Sequence, residues 1–72
     1  MKMLTLREAR TARKLTQEQL EQRSGVSQTV VSAIEHGHIV TPSYETRTKL
    51  EKALGLTAWI GPDGLVFQEH SS

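Results

Sequence analysis

Between Ser27 and Ile34 the chain reads Ser-Gln-Thr-Val-Val-Ser-Ala-Ile. At helical spacing Val31 and Ile34 form a buried side with Val30 flanking it, while Ser27, Gln28, Thr29 and Ser32 turn outward. A surface helix in a small soluble protein usually displays Lys and Glu. This one displays hydroxyls and a carboxamide, groups that both donate and accept hydrogen bonds. The chemistry they suit is the reading of base edges. A major groove ~12 Å wide admits a helix whose outer side chains are short or can bond to bases, and glutamine pairs bidentately with the N6 and N7 edge of adenine. The rival reading of the same residues is a solvated face.

Other reactive chemistry is sparse. With no cysteine in the sequence, neither a disulfide framework nor a thiolate metal site is expected. His36 and His38 have the spacing of a ligand pair, but only His70 remains to join them, and zinc takes three or four ligands, so no metal is expected. No Gly-rich phosphate loop and no isolated carboxylate pair is visible, so the chain is not read as an enzyme, and no cofactor is expected. Lys2, Arg7, Arg10, Arg13 and Lys14 place five positive charges in the first 14 residues against Glu8 alone. That patch fits either a solvated helix face or contact with an acidic polymer.

The elements that must position these groups follow from local signals. Leu6, Ala9 and Arg13 lie on one stripe, which predicts a first helix within Met3 to Lys14. Thr16 with Gln19 is a capping box for a second helix, and Leu15 with Leu20 a hydrophobic staple. Gly25 ends that helix, and Ser27 caps the third. The third ends at Gly37, and a loop runs to Pro42. A fourth helix from near Ser43 carries Leu50, Ala53 and Leu54 on its stripe, with Thr46 one turn earlier, and closes at Gly55 before Leu56 docks back. The period then changes: Thr57–Ile60 and Leu65–Gln68 flank a Pro62-Asp63-Gly64 turn and predict a hairpin.

A chain of 72 residues, 36% hydrophobic and 24% charged, allows one domain. A domain this small buries only ~60% of its unfolded surface, so helical packing or a partner subunit must supply the rest. Net charge is +1, a weak indication by itself. No apolar run approaches the ~20 residues that span a bilayer. The opening MKMLTLREAR turns charged too early for a secretory signal, so no membrane association is expected and the cytoplasm is the expected compartment.

Two short helices joined by a tight glycine turn, the second apolar inside and small-polar outside, fit a helix-turn-helix. From Leu4 to Leu56 the chain resembles the Cro/repressor-type, or xenobiotic-response-element, family. The resemblance rests on Arg10, Leu15-Thr16-Gln17, Leu20, Gly25-Val26-Ser27, Val31-Ser32, Ile34-Glu35, Gly37, Pro42-Ser43 and Ala53-Leu54-Gly55. It implies an all-α, compact four- to five-helix domain, here followed by a short C-terminal β-hairpin, that binds a double-stranded operator as a dimer. It further implies base-reading by Gln28 and Thr29, with Ser32 and Ala33 also facing the groove. Backbone contacts are implied for Gln17, Ser27, His36, His38 and Ser43, and a partly buried ion pair for Arg10 with Glu35, the arginine also leaning on a phosphate.

Three departures from the family stand out. Glu21 replaces a small residue and Arg47 replaces a leucine, and the two are expected to compensate by pairing across a shared core. The third is the hairpin, which resembles the tail of Hip-type antitoxins, where a strand after helix 4 pairs between subunits. The expected division is therefore a DNA-binding unit over residues 1–56 and a dimerisation element over 57–72. An isolated hairpin is marginal in water, and an apolar strand edge invites aggregation unless covered. Trp59, Ile60, Leu65 and Phe67 are the expected dimer interface; the rival arrangement folds the hairpin onto helices 1 and 4 of its own chain. The functional expectation is a sequence-specific repressor acting as a homodimer on a palindromic operator. The alternative is an antitoxin that binds a partner toxin and represses its own operon, a choice the neighbouring reading frame would decide.

Overall fold

The computed structural model describes residues 2–69, so His70 lies outside it. In chain order the elements are β1 (Met3–Leu4), α1 (Leu6–Ala12), α2 (Gln17–Ser24), α3 (Gln28–Glu35), α4 (Tyr44–Leu54), β2 (Thr57–Gly61) and β3 (Gly64–Gln68). The architecture is thus four helices with a small three-stranded antiparallel sheet, and not strictly all-α as expected.

The difference begins at the N-terminus. The helix expected within Met3–Lys14 occupies only its middle. Thr5 starts it through a capping box: its hydroxyl accepts the Glu8 N–H at 3.1 Å, and the Glu8 carboxylate accepts the Thr5 N–H at 2.9 Å. That backbone bond, with lesser help from the Thr5 hydroxyl and the charge of Lys2, holds the Glu8 carboxyl below its ordinary value. Met3 and Leu4, ahead of the cap, are extended and pair with Gln68 and Phe67. A cap fixes where a helix can begin, and the residues before it are free to serve a sheet.

Locally signalled elements form as the sequence predicts. Thr16 and Gln19 make the reciprocal capping box of α2, Ser27 accepts the Val30 N–H at the start of α3, and Ser43 accepts the Thr46 N–H at the start of α4. Gly25 closes α2 at φ +80°, a left-handed conformation that a β-carbon disfavours.

The hairpin also forms, and it folds back on its own chain. β3 lies between β1 and β2, so Leu4, Phe67 and Ala58 run across the sheet in one row. Phe67 is 0% exposed and Leu65 7%, and both join the core of Leu4, Leu6, Ala9, Leu20, Val26, Val31, Ile34, Leu50, Leu54 and Leu56. The turn seats tightly, because a β-carbon on Gly64, at φ +112°, would stand 3.3 Å from the Val40 carbonyl oxygen. Of the residues expected at a dimer interface, Leu65 and Phe67 are therefore consumed inside the chain, with α1 and β1 as their cover, and only Trp59 and Ile60 stay exposed, at 52% and 41%.

The expected Glu21–Arg47 pair does not form: α2 packs on α4, but no ion pair joins these two residues. Helical side chains tilt toward the N-terminus, and Arg47 accordingly lies 5.9 Å from the centre of the Tyr44 ring one turn back. Its Nε is buried without a hydrogen-bond partner.

Candidate nucleic-acid interface

The two helices of the motif are joined at Gly25 and locked by Leu20, Val26 and Val31, all buried. This fixes α3 by its Val31–Ile34 side and leaves the opposite side outward. Gln28 and Thr29, in its first turn, are exposed, and their side chains have no hydrogen-bond partner among the described residues. Ser32 and Ala33 are half-buried further along the helix. The Ser32 hydroxyl lies 3.3 Å from His36 Nδ1, and the Ala33 carbonyl accepts the N–H groups of His38 and Ile39 at 2.8 and 3.2 Å. Gln28 and Thr29 thus present polar side chains from the base of the helix that are wholly uncommitted among the described residues.

Beside Gln28 runs an open groove whose other walls include Arg10, Lys14, Thr16 and Gln17. It brings the end of α1, the start of α2 and the start of α3 to one surface. Two helix N-termini with their partial positive charge favour anions there.

Beneath this groove lies a buried charge hub. The Glu35 side chain is 0% exposed and receives Arg10 Nε at 2.6 Å and Nη2 at 3.0 Å, the Arg10 side chain being 12% exposed. Gln17 Nε2 donates to the same carboxylate at 3.2 Å and Arg7 Nε at 3.4 Å. Burial pushes the Glu35 carboxyl up, but hydrogen bonds from Arg10 and Gln17 and the charge of Arg10 outweigh it, so its value lies below the ordinary 4.5. The same hydrogen bond raises Arg10. Arg10 Nη1 donates to the Leu15 carbonyl at 2.7 Å, tying the pair to the α1–α2 turn.

The N-terminal basic stretch is mostly structural. Arg7 and Arg10 serve Glu35, and Arg13 Nε donates to the Leu54 carbonyl at 2.6 Å while its Nη1 donates to that of Ala9 at 3.1 Å. Arg13 therefore fastens the end of α1 to the end of α4, where a cation also meets the negative end of the helix dipole. Its position on the Leu6–Ala9 stripe was the available signal that its head group lies over the α1–α4 junction, although the residue itself stays exposed. Gln17 reaches the groove with one amide proton on Glu35 and the other uncommitted among the described residues.

The remaining residues divide by what their polar atoms already do. Ser27 accepts a capping bond and keeps its O–H, whereas Ser43 both accepts from Thr46 N–H and donates to Thr46 Oγ1 at 3.0 Å. His36 caps α3, its Nδ1 lying 2.8 Å from the Ser32 carbonyl oxygen, and the His38 ring centre is 6.3 Å from that of His36. Among the described residues no three His, Asp or Glu side chains gather as a metal site, and no helix is long and apolar enough to cross a membrane.

Comparison with curated proteins and with solved structures finds no match. The helix-turn-helix family model matches residues 6–58, from the start of α1 into β2, and leaves the rest of the hairpin outside the match, so the expected resemblance to Hip-type tails is not shown. That span covers the helix pair, the charge hub and the fourth helix together, and the chain belongs to the Cro/repressor-type helix-turn-helix family of DNA-binding transcription regulators.

Proposed function

We propose that the protein is a repressor that binds a palindromic operator as a homodimer, with α3 of each subunit in the major groove. The observation that carries this reading is the first turn of α3. Gln28 and Thr29 stand exposed, without partners among the described residues, beside a groove lined by Arg10, Lys14 and Gln17. Base readers flanked by backbone contacts are the division of labour a groove-binding helix needs. Gln28 pairs with an adenine edge; Thr29, Ser32 and Ala33 give short polar or methyl contacts alongside it. Gln17 holds one phosphate at the α2 N-terminus, positioned by the Arg10–Glu35 pair behind it, and Ser27, His36 and His38 meet the backbone along the flanks.

The dimer follows from the operator geometry: half-sites repeat at about 34 Å, so two copies of α3 must be held at that spacing. Trp59 and Ile60, exposed on opposite faces of the edge strand β2, make that strand edge the apolar element for this contact.

Selection of bound duplexes from a random pool with the purified protein tests the reading. It predicts recovery of an inverted repeat with half-site centres about one helical turn apart. Recovery of unrelated sequences with equal affinity would contradict it.

A further inference from the structure

Four left-handed backbone positions before the hairpin shape this fold, and three of them are glycines: Gly25, Gly37 and Gly55. The fourth is Lys14, at φ +57°, the one non-glycine residue with positive φ among the described residues. The helix ends can be compared directly. After α3, the Gly37 N–H bonds the Ile34 carbonyl and the His38 N–H the Ala33 carbonyl, at 3.2 and 2.8 Å. After α1, the Lys14 N–H bonds the Thr11 carbonyl and the Leu15 N–H the Arg10 carbonyl, at 2.9 and 3.2 Å. This is the same doubly bonded helix end, which glycine fills without steric cost. At α1 a lysine fills it against its backbone preference.

The lysine stands where it has something to reach. It lines the groove beside Arg10, Gln17 and Gln28. The three guanidinium nitrogens of Arg10 already donate to Glu35 and Leu15, while the Lys14 ammonium has no ion-pair or hydrogen-bond partner among the described residues. Resting on the reading of α3 as the groove-binding helix, we infer that Lys14 is the phosphate anchor of this interface, kept in a glycine-type position because its free charge faces the DNA backbone. Strain at a left-handed non-glycine residue is retained where the surroundings or a function over-determine it. A purely structural lysine would be there for the dipole at the end of α1.

Lys14→Gly separates the two, because it removes the charge and the strain together. Full-length protein is titrated with the selected operator and with an unrelated duplex between 50 and 200 mM salt, and unfolding midpoints are measured in parallel. The expected result is weaker binding to both duplexes by the same factor, with an unfolding midpoint unchanged or higher. One lost phosphate contact lowers the slope of log K against log salt by about 0.9 per half-site, so the wild-type advantage narrows about threefold per half-site across that range. Lys14→Arg should keep affinity and slope. Unchanged affinity and slope in Lys14→Gly, or a lowered midpoint that accounts for the weaker binding, overturns the inference. Failure of the wild-type protein to bind any duplex is seen before a variant is made, and refutes the groove reading itself.

Discussion

Removing the charge of Glu35 is the most consequential single change at the buried hub. In Glu35→Gln the Arg10 guanidinium, with its side chain 12% exposed, loses the carboxylate that accepts it at 2.6 and 3.0 Å. Breaking one partner of a buried pair costs ~3–5 kcal/mol, because the other charge stays behind without compensation. The lower end applies here. Arg10 keeps the Leu15 carbonyl through Nη1, and Arg7, with a side chain 58% exposed, can turn to water. Arg10→Met strands the carboxylate instead, with Gln17 and Arg7 as its remaining donors, and should cost a similar ~3 kcal/mol. The double variant has no stranded charge, so it should lose at least ~2 kcal/mol less than the sum of the two. Domains of this size hold only several kcal/mol in total, so the urea titrations need a stabilising osmolyte to keep a folded baseline. The pH dependence gives a second handle. The Glu35 carboxyl lies below its ordinary 4.5 in the folded chain, so its contribution is complete above that value and is lost as pH falls through the folded value. Glu35→Gln should flatten that acid limb. Additivity within ~0.5 kcal/mol, or an acid limb of unchanged steepness, refutes the coupling.

Further outcomes follow from the same geometry. Gln28→Ala should weaken operator binding by ~1–3 kcal/mol and relax preference at one base pair per half-site, as repeat selection with the variant would read. Gln17→Ala should weaken every duplex alike and, through its lost bond to Glu35, lower stability by ~0.5–1.5 kcal/mol, read in parallel by duplex titration and urea unfolding. Arg13→Met should lower stability by ~1.5–3 kcal/mol in urea unfolding, since the Leu54 and Ala9 carbonyls lose a charged donor, and leave base preference intact. Phe67→Ala should cost ~3–5 kcal/mol as a core deletion, whereas Trp59→Ser should leave monomer stability within ~1 kcal/mol and shift sedimentation toward the monomer; loss of the fold in Trp59→Ser would show the residue to be structural.

Local features were legible in the sequence, and those needing a distant partner were not. The α2 capping box and the Gly25 stop involve residues a few positions apart, so spacing alone gives them. The strand at Met3–Leu4 depends on Phe67 and Gln68, at the far end of the chain, and helical periodicity absorbed it. The Thr5–Glu8 box was nevertheless available as a local sign of where α1 begins. The basic stretch misleads for the same reason. Glu35 and the Leu54 carbonyl, which consume Arg7, Arg10 and Arg13, come from later elements. The turn at Pro62-Asp63-Gly64 marked a hairpin carrying apolar residues that include Phe67, but local sequence cannot say whose core covers them. At the candidate interface, residue types gave the outward row of α3; which of those polar atoms are already engaged, as at Ser32, only the fold reveals.

Titration of the isotope-labelled protein with the selected operator, followed through the backbone amide resonances, locates the DNA-contacting surface. If α3 enters the groove with Gln17 and Lys14 on the backbone, the largest shifts fall at residues 14–17 and 27–33, and the sheet face carrying Trp59 and Val66 changes little at constant oligomeric state. Largest shifts on the sheet, with Gln28, Thr29 and Ser32 unmoved, would contradict the placement of α3 and the function built on it.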